Sequence, residues 1–266
     1  MTEFQGRRVL ITGAGRGVGA ATAKAFAKLG ATVVLAARNE ERLNRVKAEI
    51  EAAGGRAEAI PIDLSTREAC RDLAARSGEI DVLINNAAMT AGKFQSVLTP
   101  DDGEWDVNYA VTFMAPLILM QEIGRGMVKR RRGVILNISS MAGQRPVPYL
   151  APYGVFKAAL DTLSRVAAIE LASEGSNIRV NSVVLGHVDT EAMQENCGPG
   201  ITTADVAERN SPLIRPIKPE EIAGFCVYLA SDLAAPFIGS VLNIDGGLTA
   251  GSYSFIKSFG PKSEAD

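Results

Sequence analysis

Seven short runs of β-branched and aliphatic residues alternate with helix-patterned stretches, and this rhythm constrains the fold more than any other feature of the chain. The runs are residues 9–12, 31–37, 57–63, 81–86, 133–139, 178–184 and 240–245. Between them, helical periodicity marks 18–29, 40–53, 66–75, about 105–127, 153–173 and 219–230. Most of the runs are near-continuous apolar strings, as in Val9–Thr12 and Gly133–Ser139, rather than alternating ones. Strands that read this way are covered on both faces. Strand, helix and strand in repetition is the pattern of right-handed βαβ units. The expectation is an α/β fold, a doubly wound parallel β-sheet of about seven strands with helices on both faces.

No linker, low-complexity run or repeat divides the 266 residues, so they are read as one domain, 1–266, with its core at about 7–250. The one long irregular stretch, 190–212, contains Gly198, Pro199 and Gly200. A loop of that length within a compact domain suggests a lid over a substrate pocket. Residues 252–266 read as a short polar C-terminal tail.

Charge and composition exclude several functions. The 28 Lys plus Arg against 30 Asp plus Glu leave a formal charge of −2, without the basic excess that a phosphate backbone demands. Nucleic acid is therefore not an expected partner. The longest apolar stretch, 109–120, contains Thr112 and Pro116 and is too short to cross about 30 Å of hydrocarbon. It reads as a buried helix, and no membrane association is expected. Cys70, Cys197 and Cys226 are odd in number and widely spaced, which suits free thiols in the cytoplasm better than disulfides or zinc. The single histidine, His187, leaves too little for a metal centre, and no metal is expected.

The first run leads straight into Thr12-Gly13-Ala14-Gly15-Arg16-Gly17-Val18-Gly19. Glycines let the backbone take positive φ and come close to a ligand, and the helix that follows offers its N–H groups to a pyrophosphate. Placed after the first strand of a Rossmann-type sheet, the turn points to a nicotinamide dinucleotide. The end of the second strand decides which one. NAD sites usually carry an acid there for the ribose 2′-hydroxyl. Here Ala36-Ala37-Arg38-Asn39 has no acid and places Arg38 at that point, while Arg16 can reach the same phosphate. Both favour NADP(H) over NAD(H).

Tyr153 and Lys157 are four residues apart in a helix-patterned segment, so they share one face about a turn apart. Ser140 lies just past the fifth run, at the carboxyl edge where doubly wound sheets bind ligands. Asn108 opens the long helical stretch before that run. With these residues in place, the chain resembles the short-chain dehydrogenase/reductase family in its compact single-domain branch. Thr12-Gly13-x-x-x-Gly17-x-Gly19 resembles the TGxxxGxG motif, and Asn85-Asn86-Ala87-Ala88 resembles NNAG. Asn108, Ser140, Tyr153 and Lys157 fall on the catalytic tetrad. Ser211-Pro212-Leu213, Pro219-Glu220-Glu221-Ile222 and Asp245-Gly246-Gly247 resemble the family's C-terminal third.

The resemblance implies hydride transfer between nicotinamide C4, from its pro-S face, and a ketone or secondary alcohol. Tyr153 would be the acid/base and Ser140 would stabilise the carbonyl oxygen. A tyrosine pKa lies near 10, so action at neutrality asks for roughly 4 kcal/mol of help, which Lys157 and an oxidised nicotinamide ring would supply. The resemblance also implies that Lys157 binds the nicotinamide ribose and that Asn108 holds a proton-relaying water. Gly13, Gly15, Gly17, Val18 and Gly19 would carry the pyrophosphate, and Arg38 with Arg16 the 2′-phosphate. Asp63, beside Leu64, resembles the acid at the adenine amine, and Asn86 and Ala87 resemble the segment along the adenosine ribose. Gly186, Val188 and Thr190 resemble the segment that holds the carboxamide. A homotetramer or homodimer is likewise implied, with Ala158, Ala159 and Thr162 small enough for close helix packing between subunits.

The chain departs from the family pattern at Ala88, where glycine is usual, and at Leu185-Gly186, where Pro-Gly is usual. Two other readings stay open. A 3-oxoacyl-(acyl carrier protein) reductase shares all these motifs, although the 190–210 region shows no obvious basic docking patch. A non-catalytic NADP-sensing module would not need the complete tetrad. An enoyl reductase of this family has a wider Tyr-to-Lys spacing. Gly143–Leu150, mostly apolar from Arg145 onward, and 190–212 are expected to shape the pocket for a hydrophobic or cyclic substrate. His187 reads as a pocket-wall or surface residue, Met141 and Met193 as pocket lining or plain space filling, and Lys129–Arg132 as a solvated helix end.

Overall fold

A computed structural model describes residues 3–89, 96–99 and 101–251, so the polar tail at 252–266 lies outside the described residues. The strands are β1 (Arg8–Thr12), β2 (Thr32–Ala37), β3 (Arg56–Pro61), β4 (Val82–Asn85), β5 (Gly133–Ser140), β6 (Ile178–Leu185) and β7 (Val241–Ile244). All pair in parallel in the order β3-β2-β1-β4-β5-β6-β7. Each apolar run has become a strand, shifted at its ends by one or two residues.

Burial explains the sequence pattern. All eight residues of β5 and all eight of β6 are buried. Side chains alternate between two cores, one on each face of the sheet. On one face Val9, Ile11, Val33 and Leu35 meet Phe26 of α1 (Gly17–Lys28), Leu43 and Val46 of α2 (Glu40–Ala52), and Ile222 of a C-terminal helix. On the other, Leu10, Val34 and Leu83 meet Leu73 of α3 (Arg67–Arg76) and the helices that precede β5 and β6. Each fully buried aliphatic side chain contributes about 1.5–3 kcal/mol.

The strand order places the site. The chain builds outward from β1 to β3 and then crosses back to β4, so the connections leaving β1 and β4 diverge to opposite sides. A crevice opens there at the carboxyl ends of the strands.

Three expectations change in detail. The long helix at 105–127 is instead α4 (Asp102–Asn108), a π-turn (Tyr109–Met114) and α5 (Ala115–Arg130). Pro116 near the start of α5 cannot donate to the preceding turn, which favours the wider turn before it. Asn108 therefore closes α4 rather than opening a long helix. Ile118, Leu119 and Met120 are buried as expected, but Tyr109 is exposed.

The second change concerns 190–212, which is not irregular throughout. It holds α7 (Glu191–Glu195) and α8 (Thr203–Asn210). Thr190 caps the first by accepting from Met193 N, and Thr202 forms a capping box with Asp205 on the second. The third concerns the basic run. Lys129, Arg131 and Arg132 are exposed as expected, but the arginines also fasten loops: Arg130 donates to the carbonyl of Ile80, Arg131 to that of Gly175, and Arg132 to Asp81.

Two further helices complete the frame, α6 (Ala151–Ala172) and α9 (Pro219–Ala230). Among the described residues no helix is long and apolar enough to cross a membrane.

Candidate active site

The turn after β1 is stitched to the end of β4. Asn86 Nδ2 donates to the carbonyls of Thr12 (2.9 Å) and Gly13 (3.3 Å), and Thr12 Oγ1 accepts from Asn86 N and Ala87 N. Asn86 thus shapes the glycine turn as well as lining the cleft beside it. Gly13 and Gly17 have φ of 67° and 53°, the left-handed region that favours glycine. At Gly19 the constraint is one of space. A Cβ there would stand 2.3 Å from Gly13 O and 2.7 Å from Asn86 Nδ2. Gly19→Ala is expected to cost about 1–3 kcal/mol and to distort the turn. Thermal denaturation should show a lower Tm together with weakened dinucleotide binding.

Above the turn, α1 is open to an anion. No side chain caps its N-terminus and its first turn holds no acid, so its first N–H groups point free toward the cleft. Arg38 lines the cleft at the end of β2, and Asp63 and Leu64 line it beyond β3. Asn39 is occupied as the cap of α2, accepting from Arg42 N. Arg16 does not stand free for a phosphate. It is clasped by Glu195 through two hydrogen bonds, and these hold its pKa above the usual arginine value. Arg42, which sequence reasoning passed over, also lines the cleft.

At the other end, Ser140 is the last residue of β5, not a residue beyond it. Its Oγ accepts from Ala142 N (3.2 Å), which leaves its hydrogen free to be donated. The 3₁₀ turn Met141–Gly143 then lies directly on α6. A Cβ at Gly143 would be 2.8 Å from Ala158 N, so only glycine permits this approach. Tyr153 and Lys157 project from the first two turns of α6.

Lys157 is 2% exposed, with Nζ 2.6 Å from the carbonyl oxygen of Ile138 and 5.5 Å from the centre of the Tyr153 ring. Burial lowers its pKa to about 8, against the opposing pull of Asp161 one turn further along α6. Burial raises the Tyr153 pKa, and a hydrogen bond with Ser140 works the other way. The expected lowering of Tyr153 by Lys157 is therefore not the dominant effect in the protein alone. Asn108 donates through Nδ2 to Glu104 O, while its Oδ1 is sealed from solvent without a partner. A buried amide oxygen in that state is an acceptor in want of a donor.

One cleft of about 680 Å³ joins the two ends, within the size range of ligand sites. It is lined by every residue expected of the cofactor and catalytic sets except Gly19 and Asn108, which lie behind it. Gly186, Val188 and Thr190 form its roof. The segment is pinned because Ile217 N donates to His187 O and Asp189 N donates to Ile217 O, both at 2.8 Å. His187 lines the cleft, half-buried, with its pKa lowered by burial. Met141 and Met193 line it too, with Cys197, Ile201 and Val206 from the 190–212 segment. Of the 145–150 stretch only Val147 and Leu150 contribute. Arg145 turns away to the carbonyl of Leu248, and Tyr149 is exposed.

The profile of a family described as Enoyl-(Acyl carrier protein) reductase matches residues 13–249. The chain is 34% identical to the 3-oxoacyl-[acyl-carrier-protein] reductase of Thermotoga maritima, over 92% of this chain and 99% of that one. The chain belongs to the short-chain dehydrogenase/reductase family. Other relatives in the family carry different names. The gluconate 5-dehydrogenase of Gluconobacter oxydans is 33% identical over 93% of this chain and 96% of its own. Among solved structures, one described as a putative NAD(P) dependent gluconate 5-dehydrogenase from Beutenbergia cavernae, with NADP bound at low occupancy, superposes at a TM-score of 0.87. It has 32% identity and covers 94% of this chain and 99% of its own. A 7α-hydroxysteroid dehydrogenase in complex with NADH superposes at 0.85, with 30% identity over 94% and 97% of the two chains. This chain is thus an oxidoreductase of a family whose members use nicotinamide cofactors and act on small molecules.

Proposed function

We propose that this enzyme transfers hydride between NADP(H) and a ketone or secondary alcohol, with Tyr153 as acid/base. The observation that carries the reading is the single cleft with Arg38 at one end and Ser140, Tyr153 and Lys157 at the other. The residues present suit the cofactor. The uncapped start of α1 and the glycine turn would hold the pyrophosphate, Asp63 the adenine, and the roof from Gly186 to Thr190 the carboxamide. When bound, the cofactor supplies or accepts the hydride.

The protein's own groups do the rest. Ser140, its oxygen already engaged by Ala142, donates to the carbonyl oxygen and shares its developing charge. Tyr153, kept neutral by burial, holds the proton that this oxygen needs as the alcohol forms. Lys157 binds the ribose and restores the Tyr153 proton, with the free Oδ1 of Asn108 accepting from the water that links the lysine to solvent. Segment 190–212 serves as the lid, and its apolar lining residues favour an apolar or cyclic substrate face. The exposed Val155, Val166 and Ile169 on α6 make that face a subunit contact in a dimer or tetramer. Relatives of nearly equal identity carry 3-oxoacyl reductase, gluconate and hydroxysteroid dehydrogenase names, so identity alone does not choose the substrate.

Cofactor choice is tested by titrating NADPH and NADH against the wild type and Arg38→Ala. Loss of one charge-assisted contact should weaken NADPH binding about ten-fold or more and leave NADH unchanged. A wild type that binds NADH as tightly as NADPH would sink the 2′-phosphate reading.

A further inference from the structure

Three ion pairs tie α7 across the cofactor end of the cleft. Arg16 and Glu195 meet through two hydrogen bonds, Nη1–Oε1 at 2.6 Å and Nη2–Oε2 at 3.1 Å. Glu191 lies 3.7 Å from Arg16 and 3.5 Å from Arg42. Glu191 and Glu195 are four residues apart on one short helix, where like charges repel. The two arginines answer that repulsion, one from the glycine turn and one from α2. The helix also rests directly on the turn, since a Cβ at Gly17 would stand 3.1 Å from Thr190 Cγ2. Two carboxylates thus occupy guanidinium groups that border the ribose end of the cleft, next to Arg38.

We propose that Glu191 and Glu195 are specificity-determining residues for the cofactor, competing with the 2′-phosphate for Arg16 and Arg42 and so setting how strongly the enzyme prefers NADP(H) to NAD(H). The inference rests on the NADP(H) reading. A phosphate monoester carries a charge of about −1.5 to −2 and three acceptor oxygens, so it displaces a carboxylate from a guanidinium. The displacement is not free, because the glutamates lose their partners. A 2′-hydroxyl has no charge with which to displace them and leaves all three pairs in place. The glutamates therefore penalise NADP(H) alone.

Adenosine 2′,5′-bisphosphate and 5′-AMP separate these effects, because they differ only in the 2′-phosphate and neither depends on turnover. Calorimetric titration of the Glu191→Gln/Glu195→Gln double variant should show the bisphosphate bound about three- to ten-fold tighter than by the wild type. Binding of 5′-AMP should not change, and the gain should shrink in high salt. Glu40→Gln, on the first turn of α2, controls for a general charge effect, since Glu40 forms no ion pair among the described residues. Equal tightening by that control, or tightening of both nucleotides alike, would overturn the proposal. A wild type that favours the bisphosphate, with an unchanged ratio in the double variant, would overturn the competition and keep the NADP(H) reading. A wild type with no preference between the two nucleotides would overturn both.

Discussion

Tyr153→Phe is expected to lower kcat by about 10²–10⁴-fold while leaving NADPH affinity nearly unchanged. The substitution removes one oxygen from a half-buried ring and keeps the ring itself. Its hydroxyl is the group in the cleft placed to pass a proton to an oxygen held by Ser140, with which it shares a hydrogen bond. A carbonyl that accepts hydride without a proton would have to leave as an alkoxide, a far stronger base than a phenolate. Steady-state kinetics with a cofactor titration on the same preparation separates the two effects. Undiminished kcat in the variant would remove Tyr153 from the chemistry.

Lys157→Met should show a loss of activity joined to a gain in stability. Burial holds the ammonium pKa near 8, below the ordinary lysine value of 10.5, so the folded protein binds this proton less tightly than the unfolded chain. Below pH 8 both states are protonated and the folded state carries the full penalty, about 3 kcal/mol as an upper bound from that interval. As pH rises from 8 toward 10.5 the folded state gives up its proton first, and the penalty fades. Methionine fills similar volume without the charge. At pH 7 the variant should therefore melt at or above the wild-type temperature, and the difference should close as pH rises through that window. Turnover should fall about 10²-fold or more, with weaker cofactor binding, because the ribose contact is lost as well. A variant that melts far below the wild type at pH 7 would show that the Lys157–Ile138 hydrogen bond outweighs the desolvation penalty.

Most of the sheet was legible because a strand buried on both faces is mostly apolar, as β2 is, and even β5 and β6, which bury Asn137, Arg179 and Asn181, keep an apolar majority. The glycine turn and the Tyr153–Lys157 pair were legible because positive φ and helical spacing demand particular residues at particular intervals. What sequence could not provide was the partner of each exposed side chain. Arg16 reads as a phosphate ligand until α7 folds back over the turn and brings Glu195 to it from 179 positions away. Arg42 was passed over for the same reason. The caps Thr190 and Thr202 did carry a local signal for α7 and α8, but the intervening Gly198, Pro199 and Gly200 masked it. The pKa of Tyr153 depends on enclosure by several elements at once, and spacing along one helix does not report that.

The most direct test of the account follows the hydride itself. The enzyme is incubated with NADPH deuterated at nicotinamide C4 and a mixture of an acetoacetyl thioester, cyclic diketones, steroid ketones and simple aldehydes. Mass spectrometry then locates the label in the products. The account predicts one deuterium on the carbinol carbon of a newly formed alcohol, and none with Tyr153→Phe. Label at a saturated carbon of a reduced double bond, or tight NADPH binding with no labelled product from any carbonyl in the mixture, would contradict it.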